Sequence, residues 1–211
     1  MRTAVLALGV TLSVPALAQE EVVGQKPPTS VHYLQYGVAL VAEGVASGGN
    51  VCPAAAKTPC ILGPGGGLAI RVGYRSRGAW YVGGAYEFSR QDSSNLMRLA
   101  ILQQLRAETR YYFDKGNRFT PYVTAGGGAV LYGNEWSNDT GGIQAFAGMG
   151  AEFQMSESAV VGAALVYRPL LLRGWNDATG EHRADEYLGF GFAHLIAFEV
   201  TLELRDALSR W

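Results

Sequence analysis

The stretch IAFEVTLELR, residues 196–205, decides the fold. Ile196, Phe198, Val200, Leu202 and Leu204 alternate with Ala197, Glu199, Thr201, Glu203 and Arg205. A side-chain period of two sends these sets to opposite faces of a β-strand, one greasy and one polar, whereas a helix would scatter both around its axis. The pattern recurs upstream. Leu68, Ile70, Val72 and Tyr74 alternate with Ala69, Arg71, Gly73 and Arg75, and Trp80, Val82, Gly84, Tyr86 and Phe88 with Tyr81, Gly83, Ala85, Glu87 and Ser89. Leu99, Ile101, Leu105 and Tyr111 oppose Gln104, Arg106, Glu108 and Arg110. Ile143, Ala145, Ala147, Met149, Ala151 and Phe153 oppose Gln144, Gly148, Gly150, Glu152 and Gln154.

Eight such runs cover residues 31–46, 66–76, 79–91, 98–113, 118–135, 142–155, 159–174 and 188–205. Most reach the nine to eleven residues that a tilted membrane strand needs. A helix through TAGGGA, residues 124–129, would cost close to 1 kcal/mol at each Gly. Leu96–Tyr112 also makes a passable amphipathic helix, and the strand reading is preferred there. Ser76–Gly78, Asp114–Asn117 and Ser156–Ser158 are tight turns. The links 47–65, Asp92–Met97, Trp136–Gly141 and Trp175–Tyr187 are longer and more polar. That alternation predicts an all-β fold, a transmembrane antiparallel up-and-down β-barrel of eight strands, with ten as the other count.

Alternation alone fits both a soluble barrel, apolar inside, and an outer-membrane barrel, apolar outside. The second face carries six acids, Glu43, Glu87, Glu108, Glu152, Glu199 and Glu203, and six bases, Arg71, Arg75, Arg106, Arg110, Arg168 and Arg205. In a lumen they would pair with one another, and on a soluble protein they would form a solvated exterior. Three features favour the lumen. Tyr36, Tyr74, Trp80, Phe88, Tyr111, Phe113, Phe119, Tyr132, Trp136, Tyr167 and Trp175 sit near strand ends, where interfacial girdles belong. The lysines (Lys26, Lys57, Lys115) fall only in tails, loops or turns, although soluble surfaces usually carry Lys. Trp211 ends the chain close behind the last strand.

The 211 residues suit one domain or two small ones. Charged residues are 17% against about 25% on average, apolar residues 48%, and the 28 Gly are roughly twice the usual share. A net charge of −1, with no basic cluster, leaves no footprint for nucleic acid. Met1–Arg2, the apolar Ala4–Val14, Pro15 and Ala16–Leu17–Ala18 read as a signal peptide cleaved after Ala18, against an uncleaved anchor or a buried helix. The predicted organisation is therefore a signal peptide over 1–18, a linker over 19–30 and a barrel over 31–211. Cys52 and Cys60, in a Gly/Ala/Pro-rich segment, read as one disulfide formed in an oxidising compartment. Without further ligands at zinc-like spacing they make a poor metal site.

The block LRAETRYYF (105–113), a short turn, then FTPYVTAGGG (119–128) resembles the Gly/aromatic centre of the OmpA/OmpX-type outer-membrane β-barrel families of Gram-negative bacteria. The resemblance covers the mature chain in rhythm and about residues 98–132 in motif. It implies a small eight-stranded barrel in the outer membrane and does not single out one role, since such families include adhesins and structural anchors. One departure is the end of the chain, because Trp211 falls on the parity opposite to Leu204. That predicts either a bulge within Asp206–Ser209 or a tail that leaves the strand.

Some small outer-membrane barrels modify lipid A with His, Ser and an acid near the outer rim. Here His194 precedes Leu195–Ile196, so the His-x-Ser pattern of the deacylases is missing. His182 has acids but no Ser in its own loop, leaving Ser93, Ser94 or Ser137 as nucleophiles, and His32 begins the first strand. No enzyme and no cofactor is expected. The acidic loop Trp175–Glu186 offers carboxylates to Ca²⁺ or, through Arg173, Arg183 and a divalent ion, a bridge to lipopolysaccharide phosphates, but it lacks EF-hand spacing, and a hydrated loop is its default. Eight strands enclose only side chains, so a pore would be plugged or gated, with Arg106, Glu108 and Arg110 pairing to Glu87, Glu152 and Glu199. The expected function is structural or surface interaction through loops 47–65 and 175–187. The expected partners are outer-membrane lipid, lipopolysaccharide and the barrel-insertion machinery, for a monomer in the outer membrane. A soluble periplasmic barrel binding an apolar ligand is the alternative.

Overall fold

The computed structural model describes residues 31–52, 60–94, 97–113, 116–177, 180–185 and 187–208. The expected signal peptide and linker, Lys57, Lys115 and Trp211 lie outside the described residues. The alternating runs fold as eight strands: β1 Tyr33–Ser47, β2 Gly65–Arg75, β3 Trp80–Gln91, β4 Ala100–Tyr112, β5 Phe119–Gly133, β6 Asn138–Gln154, β7 Ala159–Arg173 and β8 Phe190–Ala207. Each pairs antiparallel with its sequence neighbour, and β1 pairs with β8, closing the barrel. Closure leaves no unpaired strand edge, so every ladder is satisfied inside the sheet.

Alternation sets the two surfaces. Along β8, Phe198, Val200, Leu202 and Leu204 are exposed, whereas Glu199, Thr201, Glu203 and Arg205 are buried. The same inversion holds on β2 and β3, where Leu68, Ile70, Val72, Trp80, Val82, Tyr86 and Phe88 point outward and Arg71, Glu87 and Ser89 inward. No helix among the described residues is long and apolar enough to cross a membrane. Strands of 11 to 18 residues carry the apolar band instead.

Glycine and alanine make this lumen packable. Arg71 lies in register between Gly37 and Ala85, Arg106 between Ala85 and Gly128, and Glu108 between Gly83 and Gly126. Each long charged side chain therefore enters over strands that leave it room, the small/large alternation that a narrow barrel demands. Gly73 and Gly83 do the same for Tyr81. A Cβ on either would sit 2.4–2.5 Å from its phenol oxygen.

Tight turns join β2–β3 and β6–β7, closed by Ser76 N–H to Trp80 O and Met155 N–H to Ala159 O, both 2.9 Å. The opposite end is less regular than the expected rhythm of long links. β6 begins at Asn138 rather than at 142 because Asn134 Oδ1 accepts the N–H groups of Trp136 and Ser137 at 2.8 and 2.9 Å. This side-chain-closed turn reverses the chain at once and lets Gly133 pair with Asn138. At the other end β8 runs past Arg205 with Tyr33 opposite Ala207 and no shift of register there, so the expected bulge is absent through Ala207. Asp206 continues the outward parity and accepts a hydrogen bond from Tyr36 Oη at 3.1 Å. The irregularity of the β1–β8 seam lies at its far end, between Val45 and Ser47.

Candidate functional site

Two stacked regions fill the lumen, a charge network and an apolar lid above it. All twelve charged residues singled out from the sequence face inward. Eleven are buried and Arg75 is half-buried. Toward the lid, Arg168 on β7 donates to Glu43 Oε1 at 2.7 Å and Glu87 Oε1 at 2.8 Å, and also reaches Glu199 on β8. Gln104 and Gln91 donate to Glu43 as well. In the middle, Arg106 Nη2 donates to Glu199 Oε1 at 2.9 Å and its Nη1 lies 3.0 Å from Glu87, while Arg71 pairs with Glu199.

Nearer the tight turns, Arg110 donates to Glu108 at 3.0 Å, to Glu152 at 3.1 Å and to both oxygens of Glu203 at 2.9 and 3.0 Å. Glu152 also takes Arg75 at 2.8 Å, Arg205, Gln35 and the Tyr112 hydroxyl. Of the group Arg106, Glu108 and Arg110, Arg106 lies against Glu87 and Glu199 and Arg110 against Glu152, whereas Glu108 accepts from Arg110 on its own strand. Faces of Tyr112, Tyr81 and Tyr122 carry the guanidiniums of Arg75 and Arg110 at 3.6, 4.7 and 5.3 Å from the ring centres.

With six acids against six bases, these side chains add no net charge to the lumen. Buried pairs like these stabilise little relative to apolar packing, yet removing one member strands its partner at about 3–5 kcal/mol. They serve better as a filling than as a binding surface. The cavity among Arg71, Arg106, Glu108, Arg110, Phe146 and Glu199 measures ≈ 10 Å³, about what one water needs.

Above the charges the interior turns apolar, which the sequence reading missed. Val51, Ile61 and Leu62 from the first outer link pack with Leu102, Val130, Tyr132, Leu170, Leu172, Trp175 and Leu195. Tyr132 and Trp175, expected in an interfacial girdle, belong to this inner cluster and are 0% and 8% exposed. The Cys52–Cys60 disulfide is formed and borders the cluster. Tyr132 Oη donates to Ile61 O at 2.6 Å, and the wholly buried Arg183 clasps Asp177 Oδ2 at 2.6 and 2.8 Å and reaches Val51 O at 3.4 Å. The first and last outer links are thus pinned together over the mouth.

Arg183 and the Glu181 N–H engage Asp177, so the loop from Trp175 spends this acid on its own closure. Among the described residues no three metal-ligating side chains converge. Arg173 sits at the outer end of β7, on the exposed face. The histidines are dispersed: His32 Nδ1 contacts Tyr74 Oη, His182 Nδ1 lies 2.9 Å from Asn176, and His194 stacks on Tyr167 with Nδ1 2.7 Å from its hydroxyl. Ser93 Oγ bonds Met97, and Ser137 Oγ bonds Asn134 and Asp139; Ser94 takes part through its backbone N–H. None of these bonds joins a serine to a histidine.

No protein-family model matches the chain, and no curated protein matches its sequence. Solved structures do. The chain is similar to Neisserial surface protein A at 15% identity and a TM-score of 0.51, covering 82% of this chain and 95% of that one. It is also similar to the outer membrane protein OprG of Pseudomonas aeruginosa at 13% identity and a TM-score of 0.43, covering 87% and 98%. The likeness to the neisserial protein is one of fold, a small closed barrel.

Proposed function

We propose that this chain is an outer-membrane β-barrel with a closed lumen and a structural or surface-interaction role borne by its outer loops. One observation carries the reading: the barrel is inside out relative to a soluble one, with Leu40, Leu68, Ile70, Val82, Leu105 and Met149 59–68% exposed while Arg168 and Glu87 are wholly buried. In water such a surface would drive aggregation; in a bilayer it is the lipid-facing band. A ligand-binding soluble barrel needs an empty greasy cavity, and here the central lumen is occupied by ion pairs. Enzymatic chemistry has no support from the histidines, which reach tyrosines and an asparagine rather than a nucleophile.

Outer-membrane lipid is then the surrounding partner, the insertion machinery is the route into it, and a monomer suffices because closure leaves no edge to pair. Recognition rests on the outer side, where Trp136 and Tyr187 are 89% and 96% exposed. Planar-bilayer recording of the refolded protein tests the closed lumen together with protease treatment of intact cells. The reading expects no steady conductance and cleavage of the outer loops from outside. A large steady conductance, or loops protected in intact cells, would overturn it.

A further inference from the structure

On the outward surface of β1–β4, register aligns two successive rows of side chains. One row is Leu40, Leu68, Phe88 and Gln103, and the next toward the outer mouth is Ala42, Gly66 and Arg90, with the buried Ile101 in register beside Arg90 on β4. Arg90 is therefore the first charge above an apolar stripe, and it points away from the lumen. Beside it on β2 stands Gly66, where a Cβ would meet only Val41 O at 3.3 Å. Gly66 borders a recess of ≈ 410 Å³ at the rim, lined by Pro64, Arg90, Asp92, Ser93 and Arg98 among others.

Every lumen arginine has a carboxylate, but Arg90 and Arg98 are exposed and, among the described residues, neither has an ion-pair partner. Asp92, the acid in the recess, accepts the Ser94 N–H at 2.9 Å. Two guanidiniums at the edge of a hydrocarbon band match one kind of ligand, an amphiphile whose anionic group meets the forked N–H donors while its chains lie on Leu68 and Phe88. A soluble anion would leave that stripe unused.

We infer that the Arg90–Arg98 recess binds the phosphate of a phosphorylated lipid in the outer leaflet. The inference rests on the outer-membrane reading above and names a partner for its surface. The test uses the protein refolded in detergent micelles, with retention of bisphosphorylated lipid A read by native mass spectrometry against the same lipid stripped of phosphate. The wild type should retain the phosphorylated lipid at least about tenfold better, as charge-assisted contacts imply. R90Q/R98Q should lose that preference, and G66L, which projects a bulky side chain into the recess without altering charge, should weaken it. R77Q, in the tight turn at the other end, should keep it. Equal retention by R90Q/R98Q, or equal retention of the dephosphorylated lipid, would overturn the inference. Inorganic phosphate binding as tightly as the lipid would overturn the lipid as its source. An unboiled gel shift, unchanged in all variants, shows that the barrel is intact; a barrel soluble without detergent would instead sink the underlying reading.

Discussion

Arg168 carries more of the upper lumen than any neighbour, since Glu43, Glu87 and Glu199 all converge on it. Arg168→Met should strand those carboxylates and cost about 3–5 kcal/mol, read as a lower urea midpoint in micelles. An unchanged midpoint would mean that water reaches the acids. Arg106→Glu sets like charges beside Glu87 and Glu199, so it should raise ion conductance or lower that midpoint. If neither moves, the network has no mechanical role. Glycines separate by face. Gly83→Ala drives a methyl against Tyr81 Oη at 2.4 Å and Val72 O at 2.6 Å and should cost about 1–3 kcal/mol. Gly84→Ala, one residue on and facing outward, meets only Arg106 O at 3.5 Å and should stay within about 0.5 kcal/mol. The charged residues were legible because alternation assigns a face without a partner. The full set of partners, such as Glu43, Glu87 and Glu199 converging on Arg168, is not legible in that way, because it depends on closure and on which side chains share a level.

At the scale of elements, every strand was visible in the period of two, and the misreadings cluster at the outer ends. Val130-Leu131-Tyr132 and Leu170-Leu171-Leu172 are apolar on both faces, the mark of strand ends with lipid outside and a greasy lid inside, while Ala100-Ile101-Leu102 is apolar and buried throughout. Tyr132 shares the parity of Thr124 and Val130, which was the available signal that it points inward. The lid itself is set by tertiary contact: nothing local to Val51, Ile61 or Leu62 says that their link folds into the mouth rather than over it. Its crosslink has a testable weight. Replacing both Cys52 and Cys60 with Ser frees a short loop and should lower stability by about 2–3 kcal/mol in denaturant titration. Tyr132→Phe removes the bond to Ile61 O and should cost about 1 kcal/mol. If the two changes do not interact in the combined variant, the disulfide and the tyrosine do not hold one lid.

At the scale of the whole molecule, one choice of face governs the rest. Put the apolar rows outside and the arginines and glutamates must pair, the glycines must make room for them, and closure must supply every backbone bond. The central claim is that this inverted barrel is a closed membrane barrel. The most direct measurement takes the chain without its expected leader, refolds it in detergent and compares its SDS-gel mobility before and after boiling. The account predicts a faster-running unboiled band that boiling converts to the slower, unfolded position. An identical band in both lanes, from protein that is folded and soluble without detergent, would contradict it.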